Sequence, residues 1–241
     1  MTPLPQTSLW TALLAAWLAG LAAFAGGLAA RWEGSAETEG KREFVHGVVA
    51  FGGGILVAAV AFALTPLGME HLHPATLGLV FVAGGGVFCV LDYWLGRRGG
   101  THAQVMAMML DFVPEAIAMG AVFAHDARLG LLLALFIGAQ NLPEGFNAFR
   151  ESRKAGSAPR VALWSLLAVS LFGPVGALAG YTLLHDQLAV TAALMAFAAG
   201  GILYLVFQDI APQARMRRHW TPTLGAVLGF VVGMVGKQVL G

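Results

Sequence analysis

Apolar runs of about 20 residues, the length needed to cross roughly 30 Å of hydrocarbon, recur from one end of the chain to the other with only short polar breaks between them. These runs predict eight helices, over residues 8–30, 44–66, 75–95, 103–124, 129–149, 161–184, 188–210 and 222–240. Two of them are interrupted in the same way. Asp111-Phe112-Val113-Pro114-Glu115 lies inside the fourth helix, and Gln140-Asn141-Leu142-Pro143-Glu144-Gly145 lies inside the fifth. Carboxylates inside membrane helices are expensive, so by default they mark an ion or substrate pathway.

Composition reinforces the membrane reading, because 58% hydrophobic and 11% charged residues lie far outside soluble norms. The expected fold is an all-α membrane protein, eight transmembrane helices in one bundle, with residues 1–241 forming a single domain. No soluble insertion is left over to carry a separate function. The basic residues then orient the bundle, since Lys and Arg in short loops stay on the cytoplasmic side. Arg31, Lys41, Arg42, Arg97, Arg98, Arg150, Arg153, Lys154, Arg160, Arg215, Arg217 and Arg218 fall after helices 1, 3, 5 and 7; only Arg128 and Lys237 fall on the other side. Both termini are therefore expected outside the cytoplasm. No Lys or Arg precedes Trp10, so residues 1–30 read as an uncleaved first helix in preference to a signal peptide.

Net charge near zero, with basic residues mixed among Glu33, Glu37, Glu39, Glu43 and Glu151, argues against nucleic acid as a partner and leaves the lipid bilayer. The single cysteine, Cys89, has no partner for an internal disulfide. Compact loops favour a multi-pass protein of a prokaryotic inner membrane.

Once the helices are drawn, Glu70, Asp126 and Asp186 fall in outer loops, and Asp92 and Asp209 fall near inner helix ends. Asp111, Glu115 and Glu144 remain in the interior, with no interior Lys or Arg to neutralise them. Unpaired buried charges cost several kcal/mol each or force protonation, and a bound dication is the simplest compensation. Residues four apart share a helix face, so Asp111 with Glu115, and Gln140 with Glu144, project as two pairs from helices that run in opposite directions. Pro114 and Pro143 lack a backbone donor, which frees the carbonyls of Leu110 and Ala139. Freed carbonyls are tolerated at membrane depth where they line a protein cavity. An oxygen-rich cation site is the expectation.

At these residues the chain resembles the ZIP (Zrt/Irt-like) family of divalent metal transporters. The resemblance extends to Gly173-Pro174-Val175-Gly176-Ala177 and to Gly200-Gly201-Ile202-Leu203-Tyr204 with Pro212. It implies eight helices with both termini outside, and a metal site drawn from Asp111, Glu115, Gln140, Asn141 and Glu144. It implies transport of the metal toward the cytoplasm by alternating access between helices 4 and 5, with no enzymatic activity. A homodimer is plausible on the same basis, although no face of the sequence identifies an interface. Three departures matter. Asp111 stands where the family often has His, Phe112 where it has Asn, and Gly173 where an acidic residue usually precedes the proline. A single metal site is therefore expected.

The transported substrate is expected to be a divalent metal ion, and no organic cofactor is implied. The family points to Zn²⁺, whereas carboxylate and carboxamide ligands without imidazole or thiolate suit Mn²⁺ or Fe²⁺. Glu70, His71 and His73 are a candidate entrance, with solvated loop residues as the alternative. His46, Gln208 and Asp209 are a candidate exit. Only Arg97 to His102 connect helices 3 and 4, so the family's long His-rich loop is missing. Gly52-Gly53-Gly54, Gly84-Gly85-Gly86 and Gly200-Gly201 read as close helix packing, with sliding of one helix group against another as the sharper alternative. Two other functional classes stay open: a non-transporting membrane metal sensor or scaffold, and an intramembrane metal-dependent hydrolase. The hydrolase lacks a His-Glu-x-x-His motif.

Overall fold

The apolar runs fold into helices because a backbone in hydrocarbon must satisfy its own hydrogen bonds. A computed structural model describes residues 6–34, 38–98, 103–216 and 219–240. Glu37, Arg217 and Arg218, most of the link between the third and fourth predicted helices, and the side chains of Arg97 and Arg98 lie outside the described residues. The helices are α1 (Gln6–Glu33), α2 (Glu39–Ala59), α3 (Thr65–His71), α4 (Pro74–Arg98), α5 (Ala103–Phe123) and α6 (Ala127–Lys154). They continue with α7 (Pro159–Ser170), α8 (Phe172–Leu183), α9 (Leu188–Leu205), α10 (Ala211–Ala214) and α11 (Leu224–Leu240). Among the described residues, six helical stretches are long and apolar enough to cross a membrane, and Leu224–Val239 is a shorter apolar helix. The chain is an all-helical, multi-pass integral membrane protein. α5, which holds two carboxylates, is not among the six.

The second predicted helix, 44–66, is longer than its apolar run: α2 continues through a π-helical turn, Val60–Leu64, into α3. Pro66 has no N–H to donate, and the widened turn accommodates it. Thr65 Oγ1 donates to the carbonyl of Val60 at 2.7 Å. The seventh predicted helix, 188–210, behaves alike, with a π turn over Val206–Ile210 followed by α10 and Pro212. The sixth, 161–184, divides at Leu171 into α7 and α8, three residues before Pro174. α5 and α6 run unbroken through Pro114 and Pro143.

Local signals set several ends. Thr38 caps α2, its hydroxyl accepting from the Lys41 N–H at 3.4 Å. Asp126 caps α6, its Oδ1 accepting from the N–H groups of Arg128 at 2.9 Å and Leu129 at 3.0 Å. Gly156, at φ 95°, takes the left-handed conformation that turns the chain from α6 into α7.

Packing divides the helices into two groups. α1, α5, α6, α7 and α8 pack mainly on one another, while α2 packs on α11 and α4 on α9. Glycines form the seams within each group. A Cβ at Gly26 would strike the carbonyl of Leu142 and one at Gly145 the carbonyl of Ala23, joining α1 to α6. Gly120 and Gly180 do the same for α5 and α8, Gly54 and Gly229 for α2 and α11, and Gly84 and Gly200 for α4 and α9. Between the groups the contact is different: Gly52 of α2 meets only the ring of Pro143 on α6. Of the glycine clusters in the sequence, Gly54, Gly84 and Gly200 serve close packing within a group, and Gly52 lies where the groups meet. Gly86 has no heavy atom within 4 Å of its Cβ position.

Several helix ends meet at one end of the bundle. Glu33, at the end of α1, pairs with Arg150 of α6 at 2.5 Å and with Lys41 of α2 at 3.5 Å. His219, just before α11, lies 3.0 Å from Glu39 of α2. This basic end gathers the end of α1, the start of α2 and the end of α6.

Gly26→Ala is expected to destabilise the protein by about 1–3 kcal/mol through forced separation of α1 and α6. Gly86→Ala is expected to be neutral or stabilising by up to about 1 kcal/mol. Apparent unfolding midpoints of the purified variants in detergent check the difference.

Candidate functional site

α5 starts at the basic end and α6 returns to it, so Asp111 lies about 12 Å and Glu144 about 15 Å along the helices from that end, at 1.5 Å per residue. That depth match brings two polar faces together. Asp111, Glu115, Gln140 and Asn141 are all buried, and Glu144 is half-buried. Gln140 Nε2 donates to both carboxylate oxygens of Glu115 at 2.7 Å, a direct tie between α6 and α5. Asn141 points away from that pair, its Nδ2 donating to the carbonyl of Ala19 on α1 at 3.0 Å. Among the described residues, two buried side-chain oxygens are left without a hydrogen-bond partner: Asp111 Oδ1 and Gln140 Oε1. An unsatisfied polar atom in a buried site costs about 1–3 kcal/mol.

Asp111 and Glu144 open onto a shared cavity of about 80 Å³. Asp209 from the π turn, Asn147 from α6 and Gln213 from α10 line it with them, and Met108, Leu56 and Ile202 supply apolar walls. Among the described residues, no Lys or Arg lines it. Among the described residues, no three His, Cys, Asp or Glu side chains form a ready metal cage. The cavity instead offers carboxylates and carboxamide oxygens, a donor set suited to harder and borderline dications.

The cavity leads toward the basic end. Asn147 and Gln213, linked by Asn147 Nδ2 donating to Gln213 Oε1 at 3.3 Å, also line a wider vestibule of about 510 Å³ that reaches His46. In the other direction the bundle is closed by fully buried apolar side chains, among them Ile55, Met119, Leu132, Leu133 and Met195.

The structure thus brings Asp111 and Glu144 onto one cavity, joins Gln140 to Glu115 beside it, and engages Asn141 with α1. Of the proposed exit residues, Asp209 lines the inner cavity and His46 lines the vestibule, while Gln208 is exposed and lines neither. Glu70, His71 and His73 are exposed at the end of the bundle opposite the basic one, and His73 Nδ1 accepts from the Ala75 N–H at 3.3 Å. Asn147 and Gln213 escape the sequence reading. Asn147 stands three residues after Glu144 and Gln213 four after Asp209, spacings that place each on the face of a carboxylate.

Residues 100–240 match the model of the family described as ZIP Zinc transporter. Zinc transporter GufA of Myxococcus xanthus is 37% identical over 139 residues, which cover 57% of this chain and 55% of that protein. Zinc transporter ZIPB of Bordetella bronchiseptica is 28% identical over 139 residues, covering 57% of this chain and 45% of that protein. The match spans about half the length of these curated relatives. Both carry the name of a transporter and neither that of an enzyme. The matched region is more than half of the chain and contains both proline-interrupted helices, with Asp111, Glu144, Asn147, Asp209 and Gln213 of the cavity lining; the chain belongs to the ZIP zinc transporter family.

Proposed function

We propose that this chain carries a divalent transition-metal cation across a membrane, toward the cytoplasm, by alternating access through the cavity between α5 and α6. The observation that carries the reading is the pairing of Asp111 and Glu144 on one cavity with no cationic side chain in its lining. A dication supplies the charge that the protein withholds. Asp111 and Glu144 hold it, and Glu115, kept in place by Gln140, stands beside them. The relatives' names favour Zn²⁺, and the all-oxygen donor set favours Mn²⁺ or Fe²⁺.

Eight membrane helices with both termini outside, in a prokaryotic inner membrane, complete the reading. The basic end then faces the cytoplasm; the vestibule beside the cavity at that end and the apolar packing at the other support an inward-facing reading. Metal enters past Glu70, His71 and His73, and release follows Asp209 and His46, while Gln208 stands outside that path. Glycine seams keep each helix group rigid while the side-chain contacts between groups, such as Gly52 on Pro143, permit one group to move against the other. A homodimer accords with the family resemblance.

Uptake into proteoliposomes, with Zn²⁺, Mn²⁺, Fe²⁺ and Mg²⁺ offered in turn, tests this directly. Glu144→Ala and Asp111→Asn are each expected to lower uptake by at least about tenfold, a loss that even supporting groups around metal ligands produce. Uptake unchanged in both variants would contradict the proposed site, and no uptake of any metal would favour a sensor or scaffold. Gln140→Leu leaves the Glu115 carboxylate without its donors, so a destabilisation of about 1–3 kcal/mol is expected. Thermal unfolding in detergent measures it.

A further inference from the structure

The vestibule at the basic end carries the charge opposite to the one that suits the inner cavity. Three cationic side chains, Arg42, Arg150 and Lys154, line its roughly 510 Å³ against one carboxylate, Glu151. Lys154 lies 2.8 Å from Glu151, and Arg150 is occupied by Glu33 at 2.5 Å. Arg42 is exposed and has no carboxylate partner among the described residues. A bare dication leaving Asp111 and Glu144 past Asn147 and Gln213 meets a lining with more cations than carboxylates, in which the charge of Arg42 opposes it.

A multivalent oxyanion removes the conflict. Guanidinium and ammonium groups hold carboxylates and phosphates through charge-assisted hydrogen bonds, and the same oxygens chelate metal. His46 adds a ligand of its own. Its Nδ1 lies 2.5 Å from the carbonyl oxygen of Gln213. A carbonyl only accepts, so Nδ1 carries the proton and the neutral ring keeps its lone pair on Nε2. Donation of one ring N–H to a backbone carbonyl is the usual arrangement behind a metal-binding imidazole.

We infer that the vestibule binds a small multivalent chelating oxyanion, a polycarboxylate or polyphosphate, which takes the metal over from the carboxylate cavity together with His46. The inference rests on the transport reading above. Arg42 belongs to α2 and Arg150 and Lys154 to α6, so the anion sits between the two helix groups and occupies the mouth only while that mouth is open. No bond is made or broken except metal coordination, and the anion leaves with the cation as a complex.

Calorimetric titration of the purified, metal-free full-length chain with citrate and with pyrophosphate, at constant ionic strength, tests the site without reference to transport. Saturable binding of at least one is expected, weakened by about tenfold or more in Arg42→Gln and in Lys154→Gln. No saturable binding of either probe, or binding unaltered in both variants, would overturn the site. The hand-over is read from initial uptake rates into proteoliposomes loaded with citrate or with histidine, a zwitterionic chelator, at equal free metal. Citrate is expected to raise the rate by about threefold or more, and the gain is expected to vanish in Arg42→Gln. Equal rates would overturn the hand-over. Absence of uptake with every internal solute would contradict the transport reading instead, and the titration would still decide whether the anion binds.

Discussion

Two helices carry carboxylates into the middle of an apolar bundle, and no Lys or Arg accompanies them there. Much of the local structure around them is explained by that constraint. One carboxylate, Glu115, is satisfied within the protein, because the amide of Gln140 donates to both its oxygens. That solution has a limit: among the described residues the amide's own oxygen is left buried without a donor, as is Asp111 Oδ1. Asp111 and Glu144 are placed differently, opening onto one cavity. The same stretch of sequence therefore contains a carboxylate held by an amide and two that line a cavity.

The rest of the architecture serves that arrangement. Close backbone contact at Gly26 and Gly145 joins α1 to α6, and at Gly120 and Gly180 α5 to α8; Gly54 and Gly229 join α2 to α11, and Gly84 and Gly200 join α4 to α9. Helices in lipid gain little from apolar surface alone, since the surrounding chains are equally apolar, so close approach of small residues supplies the packing. Where the two helix groups meet, α2 touches α6 through the Pro143 ring, one residue before Glu144. The cavity also lies at this boundary, and the π turn that brings Asp209 to it belongs to the opposite group. π turns inside α-helices are frequent at functional sites because they re-aim side chains without ending the helix.

Much of this was legible in the sequence, for a physical reason. Hydrocarbon thickness fixes helix length, so the apolar runs locate the helices, and a carboxylate inside such a run stands out against its neighbours. The i, i+4 spacing placed Asp111 with Glu115 and Gln140 with Glu144 on common faces. It could not say that Gln140 would turn to Glu115 across the helix interface, or that Asn141 would be held by the Ala19 carbonyl, because those choices depend on inter-helix contact. The π turns before Pro66 and Pro212 were hidden too, as a proline signals disruption without its form. Helix ends were misjudged where helices run beyond the apolar run: α6 continues to Lys154, five residues past its expected end, and carries Arg150 and Lys154 of the vestibule.

The central claim is that Asp111 and Glu144 hold the transported cation. Anomalous diffraction from crystals of the full chain grown with Zn²⁺ or Mn²⁺ tests it most directly. The account predicts a metal peak in the cavity, bonded to carboxylate oxygens of both residues at about 2.0–2.2 Å for zinc. A metal found only at Glu70, His71 and His73, with the cavity between α5 and α6 empty at saturating concentration, would contradict it.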